Sequence, residues 1–319
     1  MSAAGRSGAP EHDAPKHDAP KHADLIYDIG AHRGEDAEFY LRKGFRVVAI
    51  EADPDLAMAC RRRLQQFLDQ GRLTIVEGAI VEPHALAAGQ RTVRFYKNDA
   101  NPVWGTVRAE WAERNERLGA LSQPIDVPVL DLEDLLRAHG VPHYMKIDIE
   151  GVDLVCVRAL GRFRERPDFV SLESDKTSLA GVAREIDELA ELGYDAFQAV
   201  EQSAVPQQVP PMPPREGGYV AHRFSEGASG LFGEELPDAW RSRRAVLRQF
   251  RAIRLGYFLL GDDGVMNRWR FRGHGRLRTW TARWLRRFTG GEVPGWHDLH
   301  ARRVSPARQP SAVLRTAVA

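Results

Sequence analysis

From Leu25 onward the chain alternates short apolar runs with amphipathic stretches, and that alternation leaves few folds open to it. Leu25-Ile26-Tyr27-Asp28-Ile29 reads as a strand, Glu35 to Lys43 as a helix closed by Gly44, and Arg46 to Ile50 as a second strand. Pro54 to Gln70 reads as a helix that opens at a proline and stops at Gly71, and Leu73 to Val76 as a third strand. Strands separated by helices build βαβ units, and the parallel sheet they form is buried by helices on both faces. The expected architecture is therefore α/β and Rossmann-like, with a mostly parallel sheet.

After an interruption the alternation resumes. Thr92 to Tyr96 has strand character, and Asn98 to Pro124 is a polar segment, with Trp104 and Trp111, that predicts a loop and helix over the sheet edge. The later strands are expected at Ile125 to Leu130, Tyr144 to Ile149, Phe169 to Leu172 and Asp195 to Val200. Helices are expected at Leu132 to Ala138, Val152 to Phe163 and Ala180 to Leu192. One α/β domain is thus expected over residues 24–200.

The flanks differ in kind. Residues 1–23 hold a short repeat, His12-Asp13-Ala14-Pro15-Lys16 and His17-Asp18-Ala19-Pro20-Lys21, with little to bury, and predict a disordered leader. Residues 201–319 open with a proline cluster, Pro206 to Pro214, which predicts a linker or irregular arm. Beyond it, Ala239 to Phe258 and Trp269 to Phe288 alternate arginine with Trp, Leu and Phe, the pattern of amphipathic helices. The net charge of +1 hides this tail: from Arg241 onward there is no lysine, much arginine, and only Asp262, Asp263, Glu292 and Asp298 as acids. Such a basic C-terminal extension can touch phosphate, lipid headgroups at a membrane periphery, or the acidic body of the chain. Trp296-His297-Asp298-Leu299-His300 reads either as an acceptor-site segment folded back from the tail or as a local hydrogen-bond cluster.

With 43% hydrophobic residues, a chain of 319 can bury one sizeable core. No apolar run approaches the roughly 18 residues of a membrane span, and the N-terminus lacks a signal-peptide core, so a cytoplasmic location is expected. Cys60 and Cys156 match no metal or redox spacing and are expected to be buried structural thiols.

Three motifs carry chemistry. Asp28-Ile29-Gly30-Ala31-His32-Arg33-Gly34 follows a strand and precedes a helix, where glycines let the backbone approach a ligand. Asp28 takes the place of the first glycine of a dinucleotide loop. A carboxylate there repels pyrophosphate and attracts an ammonium, such as that of a methionine moiety. Glu51, about 20 residues further on and at the end of the next strand, stands where a carboxylate accepts the hydroxyls of a ribose. Gly78-Ala79, after the third strand, is expected near the adenine of the same nucleoside. Lys146-Ile147-Asp148-Ile149-Glu150-Gly151 ends a buried strand, where ligands of open α/β sheets bind. Asp148 and Glu150 share one side of that strand, and a carboxylate in the crevice can take a proton from an attacking hydroxyl. Lys146 either neutralises an acidic substrate or pairs with a neighbouring acid. Asp148 and Glu150 are also oxygen ligands of the kind a divalent metal takes, but nothing else in the pattern completes a shell, so none is expected.

In order and spacing, Asp28-Ile29-Gly30-Ala31…Gly34, Glu51 with Pro54, Leu130-Asp131…Leu135, Lys146-Ile147-Asp148-Ile149-Glu150-Gly151 and Pro167…Glu173 resemble the FkbM-type methyltransferases. The resemblance covers about Leu25 to Glu173 and is most specific at the Lys146 to Gly151 block. It implies a class I methyltransferase fold with S-adenosyl-L-methionine as cofactor, O-methylating a hydroxyl of a sugar, glycan, glycolipid or related natural product. On this resemblance Asp28, Gly30, Ala31, His32, Gly34, Glu51, Ala52, Gly78 and Ala79 surround the cofactor, and Asp148, with Glu150 and Lys146, serves catalysis. Two departures stand out: His32 replaces the family's usual asparagine, and Glu51-Ala52-Asp53-Pro54 replaces Glu-Pro-Asn-Pro. The competing readings are an RNA-directed methyltransferase that uses the arginine-rich tail, and a nucleoside-binding protein without turnover.

Overall fold

The strand that anchors the fold is apolar where it matters: Leu25 to Ile29 are all buried, as a central parallel strand covered on both faces requires. The computed structural model describes residues 17–98, 104–117, 119–149, 151–174, 178–260, 265–268, 274–289 and 295–303. In chain order these build β1 (Lys21–Ile29), α1 (Glu35–Arg42), β2 (Arg46–Glu51), α2 (Pro54–Arg63), α3 (Gln65–Asp69), β3 (Leu73–Glu77), β4 (Ala79–Ile80) and α4 (Pro83–Ala87). Then follow β5 (Thr92–Asn98), α5 (Ala109–Arg117), β6 (Ser122–Leu130), α6 (Leu132–His139), β7 (Val141–Ile147), α7 (Asp153–Leu160), β8 (Phe169–Glu173), α8 (Leu179–Glu191) and β9 (Ala196–Glu201). The C-terminal part adds α9 (Arg243–Leu260), α10 (Val265–Arg268), α11 (His274–Thr289) and β10 (His297–Arg302).

Seven strands form one sheet in the order β3-β2-β1-β7-β8-β10-β9, parallel throughout except for β10, which runs antiparallel to both neighbours. The expected mostly parallel α/β sheet is present. Its order reverses direction between β1 and β7, which opens a crevice at their C-terminal ends. Local chemistry sets the flanking helices. Asp53 caps α2 by accepting from the Asp55 N–H at 2.8 Å with Pro54 in the first turn, and three acids occupy the first turn of α1. The single helix expected over Pro54 to Gln70 divides at Leu64, whose φ of −111° leaves the helical range and whose side chain is buried.

Three expectations are corrected. The domain does not close near residue 200: β10, from residues 297–302, lies between β8 and β9, pairing Leu299 with Leu172 and Ala199. The leader ends earlier than residue 23, because Lys21 and His22 pair with Val141 and Pro142 and Ala19 is buried in the core. Main-chain pairing needs no apolar side chain, which is why a polar segment joins the sheet. The remainder of the leader, residues 1–16, lies outside the described residues. β6 does not join the main sheet but forms a second sheet in the order β4-β6-β5. The proline-containing segment, expected as a linker or irregular arm, packs on the body. Phe224, Leu231 and Phe232 enter the same cluster as Phe39, Tyr40 and Phe45, and Lys43 forms a buried 2.9 Å ion pair with Glu235.

The place of β10 makes a prediction. Leu299 is fully buried, whereas Val209 on the arm is 74% exposed. Leu299→Ala is expected to cost about 2–5 kcal/mol in chemical denaturation, and Val209→Ala to stay within about 0.5 kcal/mol of the parent. Equal, small effects would show that β10 is not integral to the core.

Candidate functional site

The turn after β1 is built by backbone. The N–H groups of Gly30 and Ala31 both donate to the Ile50 carbonyl, at 2.9 and 3.0 Å, tying the turn to the end of β2. Gly30 has a φ of +83°, and a Cβ there would fall 1.9 Å from the Asp148 carbonyl oxygen. Only glycine lets the β1 turn meet the end of β7 so closely. His32 also has a positive φ, 52°, which explains the departure at this position: asparagine and histidine are among the residues that tolerate the left-handed region.

That conformation aims the His32 N–H at Glu51, whose Oε2 accepts it at 2.7 Å, while Oε1 accepts the Asp53 N–H at 2.8 Å. Burial pushes the Glu51 carboxyl up to about 7, with the two N–H bonds pulling the other way. Each oxygen keeps a lone pair, and the residue lines the crevice.

On the other side of the crevice sits Lys146. Its buried ammonium donates to Asp28 Oδ1 at 3.2 Å and to the Gly30 carbonyl at 3.2 Å. It also lies 3.4 Å from Asp36 Oδ2 and 3.6 Å from Asp148 Oδ2. Burial opposes the charge on Lys146, but the three carboxylates outweigh it and hold the ammonium well above its ordinary range. Asp28 is fully buried, and desolvation raises it to about 6 against the pull of Lys146; its Oδ2 has no hydrogen-bond partner among the described residues. Of the two readings left open for Lys146, the pairing with acids of its own chain is present.

These walls enclose a cavity of about 390 Å³, within the size range of small-molecule and cofactor sites. Of the residues singled out in the sequence, Gly30, Ala31, His32, Glu51, Ala52, Gly78, Ala79, Lys146 and Asp148 border it. Asp28 does not. It lies beneath the floor with an internal ammonium as partner, where the sequence suggested a ligand's ammonium. Gly34 does not border the cavity either, since its position is set by packing: a Cβ there would meet Cys60 Sγ at 2.7 Å. Glu150 lies outside the described residues, as do Asn101 to Val103. The side chain of Asp148 is 41% exposed, in contrast to the buried lysine behind it. Among the described residues no group of three or more His, Cys, Asp or Glu side chains is arranged to hold a metal ion.

Several lining residues had no signal in the sequence. Asp36 reads only as an acid in a first helical turn, yet both its oxygens accept the Ser229 N–H, at 2.9 and 3.1 Å, which pins the 225–229 loop over the cavity. Phe95, Trp104 and Thr106 come from the β5 side, while Trp296 and Asp298, just before and within the start of β10, belong to the tail segment that the sequence offered as one reading of an acceptor-site wall. The Trp296 to His300 segment thus enters an internal strand whose start borders the cavity; His297 and His300 face the interior with Nε2 atoms that have no partner among the described residues.

The burial of Lys146 makes the next prediction. Lys146→Met leaves Asp28 and Asp36 without their cation and is expected to lower stability by about 3–5 kcal/mol. Adding Asp28→Asn is expected to restore part of that loss, a coupling read from a double-mutant denaturation cycle. Additive losses would show that the pair does not interact.

Comparison with known proteins bears on this site directly. The FkbM methyltransferase domain matches residues 28–196, more than half of the chain. None of the curated proteins matches. Among solved structures, the methyltransferase FkbM from Methylobacillus flagellatus KT is similar at 20% identity, over 56% of this chain and 40% of that one, with a TM-score of 0.34. This chain therefore spans well under half of that protein. A SAM-dependent methyltransferase from Geobacter sulfurreducens, in complex with S-adenosyl-L-homocysteine, is similar at 9% identity over 89% of this chain and 86% of that one, with a TM-score of 0.31. A putative O-methyltransferase from Klebsiella pneumoniae matches at 14% identity over 56% and 66%, with a TM-score of 0.30. The matched span runs from Asp28 through Glu51 and the Lys146 network to the start of β9, so the chain belongs to the FkbM methyltransferase family.

Proposed function

We propose that the chain O-methylates a hydroxyl group of a sugar, glycan, glycolipid or related natural product, with Asp148 as the base. The observation that carries this reading is the opposition, across one cavity, of a buried carboxylate with free lone pairs, Glu51, and a partly exposed one, Asp148. The residues present fit the cofactor. Glu51 accepts the ribose hydroxyls, the Cβ-free Gly30 allows close approach of the amino-acid moiety, and Gly78 and Ala79 flank the adenine. Asp28 holds Lys146 in place and does not touch the cofactor.

S-adenosyl-L-methionine supplies an electrophilic methyl group, whose bond to sulfur breaks with its electron pair on sulfur as the acceptor oxygen bonds to the carbon. The protein's part is to hold the acceptor oxygen in line, exclude water and receive the proton. Asp148 receives it. Lys146, 3.6 Å behind, keeps that carboxylate oriented toward the cavity. The 225–229 loop, pinned by Asp36, and Trp104 shield the reaction from solvent. A cytoplasmic setting accords with two free, buried cysteines.

Two outcomes are expected. Asp148→Asn lowers kcat by about 10²–10⁴-fold and leaves cofactor affinity unchanged in calorimetry; turnover equal to the parent would remove Asp148 from the mechanism. Glu51 sets the pH dependence. In the free protein its carboxyl, at about 7, holds a proton below neutrality, whereas a ribose diol needs the ionised form as acceptor. Cofactor binding therefore releases a proton, and affinity rises by up to about tenfold per pH unit below 7 and levels off above it. Glu51→Gln abolishes that slope. A pH-independent affinity in the parent would contradict the assignment.

A further inference from the structure

The large apolar side chains left exposed on the described surface concentrate on α9 and α11: Leu255, Phe258, Leu277, Trp280, Trp284 and Phe288, each between 41% and 64% accessible. On α11 the last four recur at helical spacing and form one continuous stripe, within which the Trp284 and Phe288 rings lie 4.9 Å apart. An adjacent side of the same helix is buried through Leu285 and Thr289, and α9 buries Val246, Phe250 and Ile253 in the core. Both helices are therefore anchored to the body by one face while the other presents tryptophan, phenylalanine and leucine to solvent.

Charge narrows what can cover that face. Neither Arg243–Leu260 nor His274–Thr289 contains an acidic residue, and both are rich in arginine. Arg283 and Arg287 are exposed beside the stripe. A second copy docked there would set arginine against arginine. A nucleic acid would satisfy the arginines but leave Leu255 and Leu277 in water. An anionic bilayer meets both demands, with its phosphates taking the arginines and its acyl boundary the aromatic and aliphatic side chains. Neither helix crosses such a bilayer, since no described helix is long and apolar enough to do so.

The packed side of α9 is tied to the cavity rim. The Tyr257 hydroxyl on α9 donates to the Gly295 carbonyl at 2.5 Å, and the next residue, Trp296, borders the cavity.

We propose that the outward face of α9 and α11 is a docking surface for anionic lipid membrane, lying in the interface plane beside the methyl-transfer cavity. The test uses the full chain with vesicles of phosphatidylcholine alone and of phosphatidylcholine mixed with phosphatidylglycerol. Partition onto the mixed vesicles is expected, weakening with added salt, together with quenching of tryptophan emission by brominated acyl chains. The surface variant W280A/W284A/F288A is expected to lose about tenfold or more of that partition while keeping its melting temperature and cofactor affinity. R283Q/R287Q is expected to weaken partition and flatten its salt dependence. The proposal is overturned if the parent does not bind mixed vesicles at low salt, or if W280A/W284A/F288A binds them equally well. It is also overturned if light scattering shows a dimer that this variant dissolves, or if single-stranded RNA displaces the vesicles from the face.

Discussion

A single buried ammonium organises this molecule's site. Lys146 stands at the end of β7 with Asp28 of β1, Asp36 of α1 and Asp148 of the following turn within ion-pair distance. An ammonium removed from water is costly unless several oxygens replace its hydration. The chain meets that demand with groups drawn from three separate elements, and their positions are fixed by what the cation requires. The order reversal between β1 and β7 brings these groups together, and the Gly30 backbone in contact with the Asp148 carbonyl closes the joint.

The division of labour among the carboxylates follows from burial. Asp28 is wholly enclosed and serves the lysine; Asp36, at the cavity wall but buried, is shared between the lysine and the 225–229 loop; Asp148 is the most exposed of the three toward the cavity. Glu51, across the cavity, is held by two main-chain N–H groups and not by a cation, so its proton affinity is set mainly by desolvation. Four acids that look equivalent on paper thus sit in four different environments around one cavity.

Much of this was legible because it is local. The β1 turn with Gly30 and His32, the Asp53-Pro54 helix start and the apolar strands are fixed by conformations that a few consecutive residues specify, and each appears where its pattern places it. What escaped is non-local. β10 carries two histidines and an aspartate and reads as a folded-back acceptor-site segment or a local hydrogen-bond cluster, but not as a strand; only the edges of β8 and β9, more than a hundred residues away in the case of Leu172 and Leu299, make it one. Asp36 gains its role from Lys146 and Ser229, neither near it in sequence. Asp28 was given a ligand's ammonium because the motif shows the acid and not the lysine that already satisfies it.

The most direct measurement is a crystal structure with S-adenosyl-L-homocysteine. The account predicts both ribose hydroxyls within hydrogen-bond distance of Glu51, the sulfur on the Asp148 side of the cavity, and Lys146 still bound to Asp28 without touching the ligand. A ligand whose amino group contacts Asp28 directly, or one seated away from Glu51, would contradict it.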